Sequence, residues 1–190
     1  MSTIYTLNGK VLKNSANDKW LIKVPPPPSF DSVTIGYQIW TSKNLAIDDG
    51  GEGIYSQTVN YGQGSVTEYY YTWDAAVRVA SSIRGWHLPS TTEWDNLTST
   101  IGGASTGGTK LKSTYGWLSG NGTDNYGFCA LPPGRYNSYF QDQGYRSYFW
   151  TANEYSTTQG YQRTLTNFEE ISSTWNIKSL GFSVRLVKDA

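Results

Sequence analysis

The chain reads as an α+β domain: two helices in its first half, antiparallel strands in its second, and a small β segment ahead of both. Three observations predict this. Apolar residues recur at helical spacing twice, at Trp73, Ala76, Val77, Ala80 and Ile83 and again at Trp94, Leu97 and Ile101. Beyond residue 121 the pattern changes to short alternating runs separated by Gly, Pro and Asn. Helices and strands do not alternate along the chain, so a parallel α/β sheet is not expected.

In order, Ile4-Tyr5-Thr6-Leu7 and Lys10-Val11-Leu12 flank Asn8-Gly9, a strong hairpin signal. A further strand is expected at Trp20-Leu21-Ile22-Lys23-Val24. Residues 1–24 thus read as a β attachment segment, too small to be stable alone. Residues 25–29, led by Pro25-Pro26-Pro27-Pro28, read as a stiff polyproline spacer. The main domain is expected over 30–190. It opens with an alternating stretch, 33–40, turning at Gly36. Residues 48–53 are a polar loop whose Asp48, Asp49 and Glu52 lack the ordered spacing of a calcium loop.

The best-defined local signal is Gly85-Trp86-His87-Leu88-Pro89-Ser90-Thr91-Thr92-Glu93-Trp94. Ser90 and Glu93 have the spacing of a capping box, and Pro89 stops the helix from extending backwards. Trp86, Pro89, Ser90, Glu93 and Trp94 are therefore expected to be structural, with Trp150 in a later strand. Residues 102–108 read as a flexible break, and 111–118 as holding a short helical turn. Strands are expected at 126–131, 146–152, 161–165, 171–175 and 181–187.

Composition excludes several functions. Lys plus Arg and Asp plus Glu each number 15, with no basic block, so neither nucleic acid nor an anionic membrane is an expected partner. No apolar run reaches membrane-spanning length, so no membrane insertion is expected, and the start of the chain does not read as a signal peptide. Cys129 is the single cysteine. Set between Phe128 and Ala130, it reads as a buried core thiol. His87 is the single histidine and reads as a hydrogen-bonded structural residue. With no second His or Cys, no transition-metal site is expected, and calcium is unsupported, so no cofactor is assigned. Glu169 and Glu170 are adjacent and, on a strand, face opposite sides rather than forming an acid/base pair.

Several blocks together resemble the Fibrobacter succinogenes major paralogous domain. They are Val33-Thr34-Ile35-Gly36 with Gln38-Ile39-Trp40 and Asn44-Leu45, then Tyr71-Thr72-Trp73, then Gly85 to Leu97 as above. Gly127-Phe128, Ala130-Leu131-Pro132, Phe149-Trp150-Thr151 and Gly181-Phe182-Ser183-Val184-Arg185 follow in the family's order. That family is similar to C-type-lectin-like domains, and the resemblance implies such a fold: two helices plus a twisted antiparallel sheet, with the variable second-half loops facing a ligand. The family's members are typically exported, many as lipoproteins, and its usual closing-strand cysteine is Leu186 here. The formylglycine-generating enzymes also share that fold. They need a cysteine pair, which this chain lacks, so an enzyme is not expected.

The chain holds 8 Trp and 15 Tyr, a density that suits a recognition surface. Four of the tyrosines fall in 135–148, where Tyr, Ser, Asn, Arg and Gly dominate as in antibody paratopes. The expected ligand-binding residues are Arg135, Tyr136, Asn137, Tyr139, Tyr145, Arg146 and Tyr148, continued by Asn153, Tyr155 and Tyr161. The function this predicts is a non-enzymatic binding or adhesion module facing a host-surface glycan or protein. A virion setting is expected, as in a phage tail- or head-fibre component, with residues 1–24 attached to other virion proteins and self-association into a homo-oligomer left open. The alternative is a bacterial cell-surface or lipoprotein-type binding domain.

Overall fold

The structure, a computed structural model, describes residues 28–190 and the backbone of Thr6–Leu7 and Lys10–Val11. Those two segments, β1 and β2, pair antiparallel with Leu7 opposite Lys10, the register that Asn8-Gly9 predicts for a two-residue turn. The strand expected at 20–24, residues 25–27 of the proline spacer expected at 25–29 and the remainder of the attachment segment lie outside the described residues.

The domain then runs β3 (Ser32–Ile35), β4 (Gln38–Thr41), β5 (Ile54–Asn60), β6 (Ser65–Tyr71), α1 (Trp73–Ser81), α2 (Thr91–Thr100) and α3 (Ala104–Leu111). Six strands follow: β7 (Arg135–Asn137), β8 (Tyr139–Gln141), β9 (Arg146–Ser156), β10 (Gln159–Thr166), β11 (Ile171–Ile177) and β12 (Val187–Asp189). The strands form separate small sheets: β1–β2, β12–β4–β3, β5–β6, β7–β8 and β11–β10–β9. This corrects the expected class. In place of two helices on one twisted sheet, the described residues are mostly β, with three short helices and several two- and three-stranded sheets. A C-type-lectin-like α+β fold is not shown by these elements.

Each departure has a physical cause. Residues 104–111 form α3 although the stretch is glycine-rich, because its glycines serve packing. A Cβ on Gly108 would sit 2.6 Å from the carbonyl oxygen of Glu170, and one on Gly107 2.8 Å from Cδ1 of Ile171. The helix lies so close to the start of β11 that only glycine fits. No strand forms at 126–131, since Asp124, Gly127 and Cys129 all hold positive φ, at +46°, +69° and +50°. The strand expected at 181–187 is instead a buried thread joining the sheets by isolated bridges: Gly181 to Tyr136, Phe182 to Tyr71, Ser183 to Phe149 and Val187 to His87. The helical turn expected after Leu111 is absent, and the polar-rich hairpin β5–β6 is present without an apolar alternation to announce it.

Other expectations hold. Gly36, at φ +63°, turns β3 into β4. The Ser90 hydroxyl accepts from the Glu93 N–H, and the Glu93 carboxylate accepts from the Ser90 N–H, completing the capping box of α2. Asp48 to Glu52 lie in a loop, where Asp49 pairs with Arg78 at 2.9 Å. Glu169 and Glu170 are exposed in the β10–β11 connection, off the strands.

Two cores result. One gathers Trp73, Ala76, Val79 and Ala80 of α1 with Trp86, Leu88, Trp150, Phe182, Val184 and Leu186. The other gathers Trp94, Leu97 and Ile101 with Trp40, Phe128, Phe149, Leu165 and Val187. Strand β9 separates them, sending Tyr148 and Trp150 into the first and Phe149 into the second. Arg185 is buried beside the second core, its guanidinium donating to Thr41 O, Phe128 O, Cys129 O and Asn44 Oδ1. Burial lowers its pKa to about 10, which leaves it charged at neutral pH.

Candidate functional site

The tyrosine-rich stretch splits into parts with different jobs. Tyr148 is 3 % exposed and stacks on Phe182 at 4.9 Å, so it is a core residue. Its hydroxyl donates to Asp142 Oδ2 at 2.7 Å and accepts from Arg146 Nη1 at 3.1 Å. Arg135 lies over the Tyr148 ring and 3.0 Å from Asp142. Burial corrects the expected place of Tyr148 in a free binding surface, while Arg135 is half-buried and Arg146 exposed, both braced on Asp142 and Tyr148. Tyr136 is half-buried, stacked on Tyr55 with centroids 3.8 Å apart. Asn137, Tyr139 and Tyr145 are exposed, Tyr139 by 67 %. Asn153 is occupied elsewhere: its Oδ1 accepts the Thr91 N–H at the first turn of α2.

Tyr155 and Tyr161 belong to a separate feature. Trp175 on β11 pairs with Tyr161 across the sheet, and Tyr155 stacks on Trp175 at 4.9 Å with the rings 9° from parallel. Tyr161 meets Tyr155 edge-on at 5.4 Å. Tyr155 and Trp175 remain 48 % and 43 % exposed. This three-ring platform stands at the far end of β9 from Arg146. Two residues beyond Trp175, Ile177 lines an open groove of about 960 Å³. The groove runs between the start of β5 (Gly53, Tyr55), the first turns of α1 (Thr72, Asp74, Arg78) and the β9–β10 turn (Thr157, Thr158). Lys178 at its edge sits 4.2 Å above the Trp73 ring and pairs with Glu154.

A second, more enclosed cavity of about 330 Å³ lies elsewhere, between residues 42–46, β6 and the 124–129 loop. Ala46, Val66 and Leu131 supply apolar wall; Glu68, Asn44, Arg185, Tyr115 and Cys129 supply the polar atoms. Glu68 is 2 % exposed. Its Oε2 accepts from Asn44 Nδ2 at 2.9 Å and its Oε1 from the Tyr61 hydroxyl at 3.0 Å. Burial pushes its carboxyl pKa up despite both donors and the positive charge of Arg185. Cys129 is half-buried and lines this cavity, not the core interior, a correction to its expected role. Burial and the neighbouring Asp124 push its thiol pKa up, so it is not an activated nucleophile.

His87 is half-exposed, with Nε2 2.5 Å from Glu93 Oε1, the hydrogen-bonded structural role expected of it. Among the described residues no group of three His, Cys, Asp or Glu is placed to hold a metal ion, and no helix is long and apolar enough to cross a membrane.

Sequence reasoning missed Trp175, Tyr55 and the whole Glu68 cavity. Trp175 was legible only as an aromatic residue on an expected strand, and Tyr55 lay in the hairpin that no alternation announced. Glu68 gave a faint signal, a lone carboxylate at an inward position of β6 between Thr67 and the tyrosines.

The family model of the Fibrobacter succinogenes major domain matches residues 33–188. No curated protein and no solved structure matches the chain. The matched span runs from within β3 to within β12 and takes in both cores, the groove and the cavity; residues 1–32 and 189–190 lie outside it. The chain therefore belongs to the Fibrobacter succinogenes major domain family.

Proposed function

We propose that this domain is a non-enzymatic recognition module that holds a surface glycan on the Tyr155–Trp175–Tyr161 platform and in the adjoining groove. The observation that carries the reading is the platform: large rings left half in solvent, already fixed by stacking on one another. Rings held this way lose little freedom on binding and offer flat apolar faces to the C–H faces of a sugar. The groove adds hydroxyls from Thr72, Thr157, Thr158 and Ser179 and carboxylates from Glu52 and Asp74, which suit a ligand rich in hydroxyl groups. On this reading the module works on a surface, as a virion component facing its host, with residues 1–24 attaching it to the particle.

The test is binding of the full chain to a glycan array and to whole bacterial cells, with and without chelator. Trp175→Ala/Tyr155→Ala should weaken binding tenfold or more, about 1.4 kcal/mol. Tyr139→Ala/Tyr145→Ala should leave it unchanged, and chelator should have no effect. Full binding by the platform variant, or no binding to any glycan or cell by the native chain, overturns the proposal.

A further inference from the structure

We infer that the Glu68 cavity is a second ligand site, taking a small primary amine with a short apolar body and seating its ammonium group on the Glu68 carboxylate. This site shares no lining residue with the groove, so the inference stands or falls separately from the glycan reading.

The inference starts from an unequal use of hydrogen-bonding capacity. Arg185 has five N–H groups, and four are taken by Asn44 Oδ1 and the carbonyls of Thr41, Phe128 and Cys129. It has little left for a ligand. Glu68 is the reverse: each oxygen accepts one bond, whereas a carboxylate has room for about four. Asn44 stands between the two charges, donating to Glu68 through its amide and accepting from Arg185 through its carbonyl. The two are thereby bridged, and the spare acceptor capacity of Glu68 is not consumed by the guanidinium.

The other charged and titratable groups at the cavity do not compete. Lys43 lines the cavity at its solvent side, where its ammonium is paired with Asp31 at 2.7 Å. Asp124 accepts the Cys129 N–H at 2.7 Å. Tyr115 and Cys129 have their pKa values raised, burial first, and so present neutral polar atoms. A buried carboxylate with unfilled lone pairs is costly, and an ammonium group supplies both the missing donors and the opposing charge. A carboxylate ligand would meet Glu68 with like charge. An alcohol would bring a donor without charge.

The wall is built to hold something. Cys129, which lines the cavity, keeps left-handed backbone at φ +50°, a conformation that disfavours side chains and recurs at ligand sites. At about 330 Å³ the cavity sits at the lower end of the range for small-molecule sites, roughly 300–1,000 Å³.

The experiment is a calorimetric and amide-NMR titration of the full chain with n-butylammonium, n-butyrate and n-butanol. Saturable binding of n-butylammonium alone is expected, with shifts confined to residues 42–46, 66–68, 115, 127–131 and 185. Glu68→Gln, which keeps acceptor and shape but removes the charge, should weaken it at least tenfold. Val66→Trp narrows the cavity at a lining residue that is 42 % exposed, leaves Glu68 and Asn44 unsubstituted, and should weaken it as much. Equal binding of butanol or butyrate, no saturable binding of any probe, or unchanged binding in Val66→Trp overturns the inference.

Discussion

At the scale of the residue, identity and role come apart most clearly among the tyrosines. Tyr139, Tyr145 and Tyr148 lie within one stretch of identical chemistry, yet the first two are exposed and the third is core. Composition reveals the chemistry of 135–148 but not which ring turns inward, because Tyr148 is placed by stacking on Phe182, a residue far along the chain. Glu68 shows the converse: one ordinary glutamate in a polar hairpin becomes a buried carboxyl with a raised pKa. Between its ordinary value of 4.5 and the raised one, the folded chain binds more protons at this site than the unfolded chain. The stability contributed by the protonated carboxyl is therefore full below the ordinary value and is lost as pH climbs through the raised one. Asp124 acts in the same direction, so the native chain alone cannot isolate the effect. The difference between native and Glu68→Gln can. Urea midpoints followed from about pH 4 to pH 7 should fall less in Glu68→Gln than in the native chain. Parallel curves would show that Glu68 does not titrate in this range.

At the scale of the element, signals that act within a few residues were legible. The Ser90–Glu93 box, the Gly36 turn and the Asn8-Gly9 register depend on near neighbours, and each forms as its sequence predicts. What failed was the meaning of glycine. Residues 102–108 read as a break because glycine costs a helix backbone entropy. Here the cost is accepted because α3 must lie against the carbonyls before β11. This gives a prediction of unusual sign. Gly→Ala inside a helix normally stabilises by about 0.5–1 kcal/mol. Gly108→Ala should instead destabilise by about 1–3 kcal/mol, since its Cβ would fall 2.6–2.7 Å from the Glu169 and Glu170 carbonyl oxygens. Chemical denaturation decides it. A gain in stability would mean that α3 can shift away from β11 freely.

At the scale of the whole molecule, the class was misjudged because the closing segment does not behave as a strand. Alternation in 181–187 implied one buried and one exposed face, but Phe182, Ser183, Val184, Arg185, Leu186 and Val187 are all at most 1 % exposed. The segment is covered on every side because it runs between small sheets and bridges them. Its residues are also divided between the two cores: Val184 and Leu186 lie in the one built on α1, Val187 in the one built on α2. Val187 begins β12, which pairs with β4 and so ties the end of the described chain to its beginning. Neither core can open without pulling this thread from the other, so the two should unfold together. Val184→Ala and Val187→Ala should each cost ~2 kcal/mol and move a single transition, coincident by tryptophan fluorescence and far-ultraviolet circular dichroism. Two separated transitions, one moved by each variant, would show that the cores are independent and that the thread only lies between them.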